Sequence, residues 1–195
     1  MRSSHLLASL LALSLAACGN DPAGGSGGSN PAPTAGKSAS QLLDDATAAA
    51  GKEDWKAALV ALDAVLADPK ATADEQALAW SDKITAASRG NGDDAGIAAV
   101  KQMAASTVAL TDGQFASLGI ALAEADHPKV ALELLEVAKK KFGTDAAVMK
   151  KLKRVAKFCE QKFMEAGDTG ALDQLKALGY LGAEGEDEEE AGGDQ

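Results

Sequence analysis

The feature that most constrains this chain is a small residue recurring early in every second helix-period segment: Ala58, Gly96, Ala131 and Ala171. One place on, the residues are Leu59, Ile97, Leu132 and Leu172. Four places on they are Leu62, Val100, Leu135 and Leu175, and seven places on Val65, Met103, Ala138 and Leu178. Sixteen places before the small residue stand Leu42, Trp80, Phe115 and Val155. The spacings between repeats are 38, 35 and 40 residues. Small early residues let paired helices approach closely, and the later positions supply an apolar stripe at the 3.6-residue period.

The same stretch reads as helix throughout. The periodicity predicts helices over Ala39–Ala50, Asp54–Ala67, Ala73–Arg89, Asp93–Ser106, Asp112–Ala125, Pro128–Lys141, Asp145–Ala166 and Thr169–Leu178. The breaks carry helix-end chemistry. Gly51 and Gly143 fall just past helix ends, Asp112 and Asp145 can cap starts, and Pro128 suits a first turn. Lys139, Lys140 and Lys141 sit where a helix C-terminus favours cations. No stretch shows period-two alternation bounded by turn signals. Ala supplies 43 of 195 residues and aromatics only 4%, which further disfavours strands, since these select β-branched and aromatic side chains. The expected fold is all-α: a short right-handed solenoid of antiparallel helix pairs, with seven or eight helices.

The repeat columns resemble the tetratricopeptide repeat, a 34-residue helix-turn-helix unit. The best single matches are Gly51-Lys52-Glu53-Asp54-Trp55-Lys56-Ala57-Ala58-Leu59 running to Pro69, and Phe115 with Leu118-Gly119 followed by Ala131. The repeats are degenerate: Asp93 and Pro128 stand where Trp55 stands in the first, and the Leu-Gly pair occurs once. The resemblance implies no catalysis. It implies a groove, lined by the first helix of each pair, that binds a peptide or another protein. The polar residues those helices offer are Gln41, Asp44, Asp45, Gln76, Asp82, Lys83, Gln114 and Ser117. Such a mixed set fits a selective groove and a solvated surface equally well.

The two ends are unlike this core. Met1 and Arg2 precede a ten-residue apolar run, Leu6–Leu15. That is too short for a permanent transmembrane helix, which needs about 20 apolar residues, and it has the length of a signal-peptide core. It leads into Leu15-Ala16-Ala17-Cys18-Gly19. This run resembles the lipobox of bacterial lipoproteins. The resemblance implies that the Cys18 thiol takes a diacylglycerol, that the peptide is cut before Cys18, and that the new amino group can be acylated. Two or three acyl chains make a stable anchor where one is marginal. The resemblance further implies the outer membrane, since Gly19 rather than Asp follows the cysteine. Asn20–Ser38 is rich in Gly, Ser, Pro and Ala and reads as a flexible tether, holding a domain roughly 25 Å from the lipid. Ala183–Gln195 has seven acids and no base, a composition that does not bury apolar surface. The expected organisation is a signal peptide over 1–17, lipidated Cys18 and tether over 18–38, a helical domain over 39–182, and a disordered acidic tail over 183–195.

The formal charge of −10 argues against nucleic acid, which needs a basic footprint. It is unevenly spread. From Lys139 to Lys162 there are nine bases and two acids. On a helical wheel the apolar arc of Asp145–Ala166 holds Val148, Met149, Leu152, Val155, Ala156, Cys159, Phe163 and Ala166. The opposite arc holds Lys150, Lys153, Arg154 and Lys157. Three readings stay open for this basic face: a solvated surface, a dock for the acidic tail, or a contact with anionic headgroups or an acidic partner.

Other residues look chemical and have plainer readings. Cys159 lies mid-arc, so it reads as a small buried hydrophobe, with a reactive thiol or an intermolecular disulfide as alternatives. His127, the one histidine after Cys18, has no ligand spacing around it. Asp93-Asp94 reads as a turn and helix cap rather than a calcium loop. Gly24–Gly28 reads as linker rather than phosphate cradle. Trp55 and Trp80 fall in packing columns. No nucleophile–base pair, paired carboxylates or metal cluster emerges. The expectation is therefore no enzyme, no cofactor and no small-molecule substrate. The chain reads as a lipid-anchored envelope lipoprotein, on the outer membrane facing the periplasm, whose helices bind a protein partner. The alternative is a surface or structural lipoprotein that acts as a spacer without a groove ligand.

Overall fold

The computed structural model describes residues 36–108, 110–143 and 145–181, all within one compact unit, Pro31–Gln195. The signal peptide, Cys18, most of the tether and the acidic tail read from the sequence lie outside the described residues. The described residues form eight helices and no strand: α1 (Ala39–Ala50), α2 (Trp55–Ala67), α3 (Ala73–Asn91), α4 (Asp93–Ala105), α5 (Asp112–Glu124), α6 (Pro128–Phe142), α7 (Ala146–Ala166) and α8 (Thr169–Ala177).

Local chemistry fixes where these helices begin. Ser38, Thr72 and Thr111 each accept a hydrogen bond from the backbone N–H three residues on, and Gln41, Glu75 and Gln114 reach back to the cap backbone. The first helix of each of the first three pairs thus starts with the same reciprocal capping box. Asp54, Asp145 and Asp168 cap α2, α7 and α8. Two expected caps are different. Thr111, not Asp112, caps α5, which leaves the Asp112 carboxylate free to take Lys151 at 2.5 Å. At α4 the cap position is Gly92, with no side-chain cap bond, and Asp93 turns to His127 instead. A single residue, Gly92 at φ 84°, joins α3 to α4. That left-handed backbone is strained for any residue with a Cβ.

Consecutive helices pack in pairs and stack as a short solenoid-like array. α1 lies on α2, α3 on α4, α5 on α6 and α7 on α8, while α2 meets α3 and α6 meets α7. The second and third pairs join differently. There α4 packs on α6, with only a slight contact between α3 and α5.

Most of the repeat columns form the core, while Leu59, Ile97, Leu172 and Leu178 are partly buried at its edge. Leu42, Trp80, Phe115 and Val155 are buried, as are Leu62, Val100, Leu135 and Leu175. Burying each such Leu, Val or Phe contributes roughly 1.5–3 kcal/mol. The exposed ion pairs contribute about 0–1 kcal/mol each, so the columns set the fold. The small residues are buried too, and the glycines mark the tightest approaches. A Cβ on Gly96 of α4 would collide with the Ser88 hydroxyl and stand 2.8 Å from Val130 Cγ2 of α6. A Cβ on Gly119 of α5 would stand 2.6 Å from Val155 Cγ1 of α7.

The buried residues form two clusters. The smaller joins α1, α2 and one face of α3 through Leu42, Leu62, Val65, Ala79 and Ala86. The larger runs from Trp80, Ile84 and Ala87 on the other face of α3 through α8 to Tyr180. Past α8, Tyr180 is only 2% exposed and its hydroxyl donates to the Leu135 carbonyl at 3.0 Å.

Gly119→Ala gains about 1 kcal/mol of helix propensity but overpacks a site where that costs about 1–3 kcal/mol. We expect a net loss of stability in urea denaturation followed by far-UV circular dichroism. Adding Val155→Ala restores part of that loss, a non-additive pair. A Gly119→Ala protein as stable as the parent would mean that α5 and α7 do not approach this closely.

Candidate functional site

The six residues that best fit a groove on the first helices are Gln41, Asp45, Gln76, Asp82, Lys83 and Gln114. Their surroundings differ sharply. Gln41 and Gln114 are members of the capping boxes of α1 and α5, holding the Ser38 and Thr111 backbone N–H groups at 2.9 and 2.8 Å. Asp45 takes Lys37 Nζ at 2.6 Å. Gln76 donates to the Ala71 carbonyl at 3.5 Å. Lys83 reaches Asp63 on α2 at 2.7 Å and donates to Gln102 on α4 at 3.1 Å, with its ammonium 4.9 Å from the centre of the Trp80 ring. It ties three helices together, with 16% of its side chain exposed. Asp82 differs from the rest. It is half-buried, and desolvation raises its carboxyl above the usual range.

The wheel holds for the basic face and the middle of the apolar arc, while Val148 and Met149 are only partly buried and Ala166, at the end of the helix, is exposed. Leu152, Val155, Ala156, Cys159 and Phe163 of α7 are buried, while Lys150, Arg154 and Lys157 are exposed and Lys153 is partly so. The flanking lysines bind acids on α5 and the turn after it. Lys151 holds Asp112, and Lys162 holds Asp126 at 2.6 Å. In both pairs the ammonium donates to the carboxylate and holds its pKa below the usual range.

Three features escaped the sequence reading. Where α4 and α5 part, a cavity of about 680 Å³ opens between the end of α4, residues 106–108, Leu110, Phe115 and α6. Its floor is apolar, with Met103, Leu110 and Phe115 buried, and Lys101, Lys140 and Lys141 stand at its rim. Lys141 donates to the Leu110 carbonyl at 2.9 Å and sits over the Phe115 and Phe142 rings, which meet edge to face. A second cavity of about 670 Å³ lies at the start of α1, beside Asp68, Pro69 and Lys70. None of the six groove candidates lines either cavity. The third missed feature is a hydrogen-bond contact: His127 Nδ1 lies 2.8 Å from Asp93 Oδ1, joining the α5–α6 turn to the start of α4. The one available signal for the cavity is length, because residues 106–111 form the longest connection between described helices. The His127 contact spans 34 residues and leaves no local signal.

Cys159 is fully buried, and burial pushes its thiol up to about 12. The two tryptophans pack as expected. Trp80 is 8% exposed in the core, and Trp55 lies against Gly90 with the Arg89 guanidinium 5.9 Å from its ring centre. Among the described residues no three His, Cys, Asp or Glu side chains are grouped to hold a metal ion, and no helix is long and apolar enough to cross a membrane. No protein-family model, no curated protein and no solved structure matches the chain.

The buried thiol has a pH consequence. Its folded pKa is raised, so the folded state keeps a proton that the unfolded chain releases above pH 9. Stability is therefore unaffected by this group below pH 9 and falls as pH rises towards 12, by up to about 1.4 kcal/mol per pH unit. Replacing Cys159 by Ala should flatten this part of the alkaline stability curve. In the native protein at pH 8, a thiol reagent should label Cys159 far more slowly than in urea. Equal labelling rates would contradict the burial.

Proposed function

We propose that this chain is a bacterial lipoprotein, anchored by acylated Cys18 in the cell envelope, that presents a tetratricopeptide-like helical domain as a protein-interaction module. The observation that carries the reading is the order of segments. A short apolar run ends in Leu15-Ala16-Ala17-Cys18-Gly19, and a Gly/Ser/Pro/Ala-rich stretch then leads to the described helices. Its work is binding alone: lipid sets the location, the tether gives reach, and paired helices supply a surface. The outer membrane, facing the periplasm, is the location that Gly19 favours.

A second reading has a specific observation in its favour. Five of the six groove candidates are engaged in helix caps, backbone hydrogen bonds or ion pairs. A surface so occupied suits a spacer that carries the chain away from the membrane without a groove ligand. Asp82 discriminates the two, because among the described residues its carboxylate serves no helix cap or ion pair.

Mass spectrometry of the mature protein should find Cys18 at the N-terminus carrying acyl groups, and Cys18→Ala should release the protein from membranes. An unmodified Cys18 would end the lipoprotein reading. Crosslinking in intact membranes should capture a reproducible partner that Asp82→Ala weakens several-fold. Recovery of membrane alone, with no partner, would favour the spacer.

A further inference from the structure

The described chain ends in a fixed place. Tyr180 is buried, its hydroxyl held by the Leu135 carbonyl of α6, and its N–H donates to the Leu175 carbonyl at 3.3 Å. Beside it, Gly179 faces α6: a Cβ there would lie 3.9 Å from Lys139 Nζ. The last described residues therefore lie against α6 near Lys139, with Leu181 still packed on the core. Lys139 is the first base of the segment Lys139–Lys162, which carries nine bases and two acids. The next residues, 183–195, carry seven acids and no base.

We propose that the acidic segment Ala183–Gln195 docks on this basic surface, from Lys139 of α6 along Lys153 and Arg154 of α7. Three observations carry the assignment. The first is position: the described chain runs to Leu181, two residues past Gly179 beside Lys139, and the acidic segment begins at Ala183. The second is the charge match. Lys151 and Lys162 are already engaged by Asp112 and Asp126, whereas Lys139, Lys153 and Arg154 make no ion pair with the described residues. The third is reach. Thirteen residues extend to roughly 43 Å, and the 21 residues of α7 span roughly 31 Å, so the segment is long enough to run the length of the helix.

The chemistry predicts how the dock behaves. The segment has no large apolar residue, so attraction is ionic and weakens with salt. Each exposed pair is weak, but a tethered segment is present at an effective concentration of order millimolar, enough for several weak pairs to act together. Docked, it covers the basic face of α7 with carboxylates and competes with any other polyanion for it. The inference stands independently of the lipid anchor.

Zero-length carbodiimide coupling of the purified full chain, followed by peptide mass spectrometry, tests it. Amide links between Glu184–Glu190 and Lys139 or Lys153 are expected within the monomer at 20 mM NaCl, falling at least threefold at 500 mM NaCl. A second measurement uses nuclear magnetic resonance. The backbone shifts of residues 184–194 should move with salt in the parent and stay still in the Lys139→Gln, Lys153→Gln, Arg154→Gln variant. Absent links, or links that ignore salt, overturn the proposal. Links found only between copies assign the surface to the segment of a second chain and overturn it as well.

Discussion

The close approach of helices through small residues is the constraint on which the rest of the structure depends. Ala58, Gly96, Ala131 and Ala171 are buried at the contacts, and at Gly96 and Gly119 the neighbouring valine occupies the space a side chain would need. Close packing gives a core dispersion contacts on every side and leaves little room for adjustment. The apolar columns four places on can then meet across helices. With only seven Phe, Trp or Tyr in the whole chain, a core this large rests on Leu, Val and Ala brought close rather than on bulky side chains spanning a gap.

Much of the architecture was legible because it depends on local periodicity. Every predicted helix is present, with ends within two residues of expectation. The position columns correctly named Leu62, Val100, Leu135 and Leu175 as core. Caps were harder, because a hydroxyl and a carboxylate in succession, as at Thr111-Asp112, both qualify. The deciding residue is the third one on: Gln114 completes the box with Thr111. The same Ser/Thr-x-x-Gln/Glu signature at Ser38, Thr72 and Thr111 is a repeat marker in its own right.

The candidate site was legible only in part. A wheel identified the basic face of α7, since it needs no more than helix geometry. The groove candidates share only polarity and a place on first helices, and polarity alone does not tell a ligand contact from a helix cap. Lys83 illustrates this: its partners Asp63 and Gln102 come from the two neighbouring helices, 20 residues before it and 19 after. The joint between the second and third pairs was hidden for a related reason. Columns that recur every 35 to 40 residues suggest one mode of stacking throughout, whereas the packing of α4 on α6 is a long-range contact that no column records.

The double-faced α3 has a mechanical consequence. Its Ala79 and Ala86 belong to the cluster with α1 and α2, and its Trp80, Ile84 and Ala87 to the cluster that runs on to Tyr180. The first cluster is mostly alanine, with Leu42, Leu43, Leu62 and Val65 as its only buried larger side chains. A pull applied from the N-terminal side of the chain loads α1 first, against this lighter cluster. The first pair is tied to α3 by the Lys83–Asp63 ion pair, by Trp55 against Gly90, and by Leu59 and Leu66, which pack on both clusters, so such a load passes through α3 into the larger cluster instead of ending at the first pair.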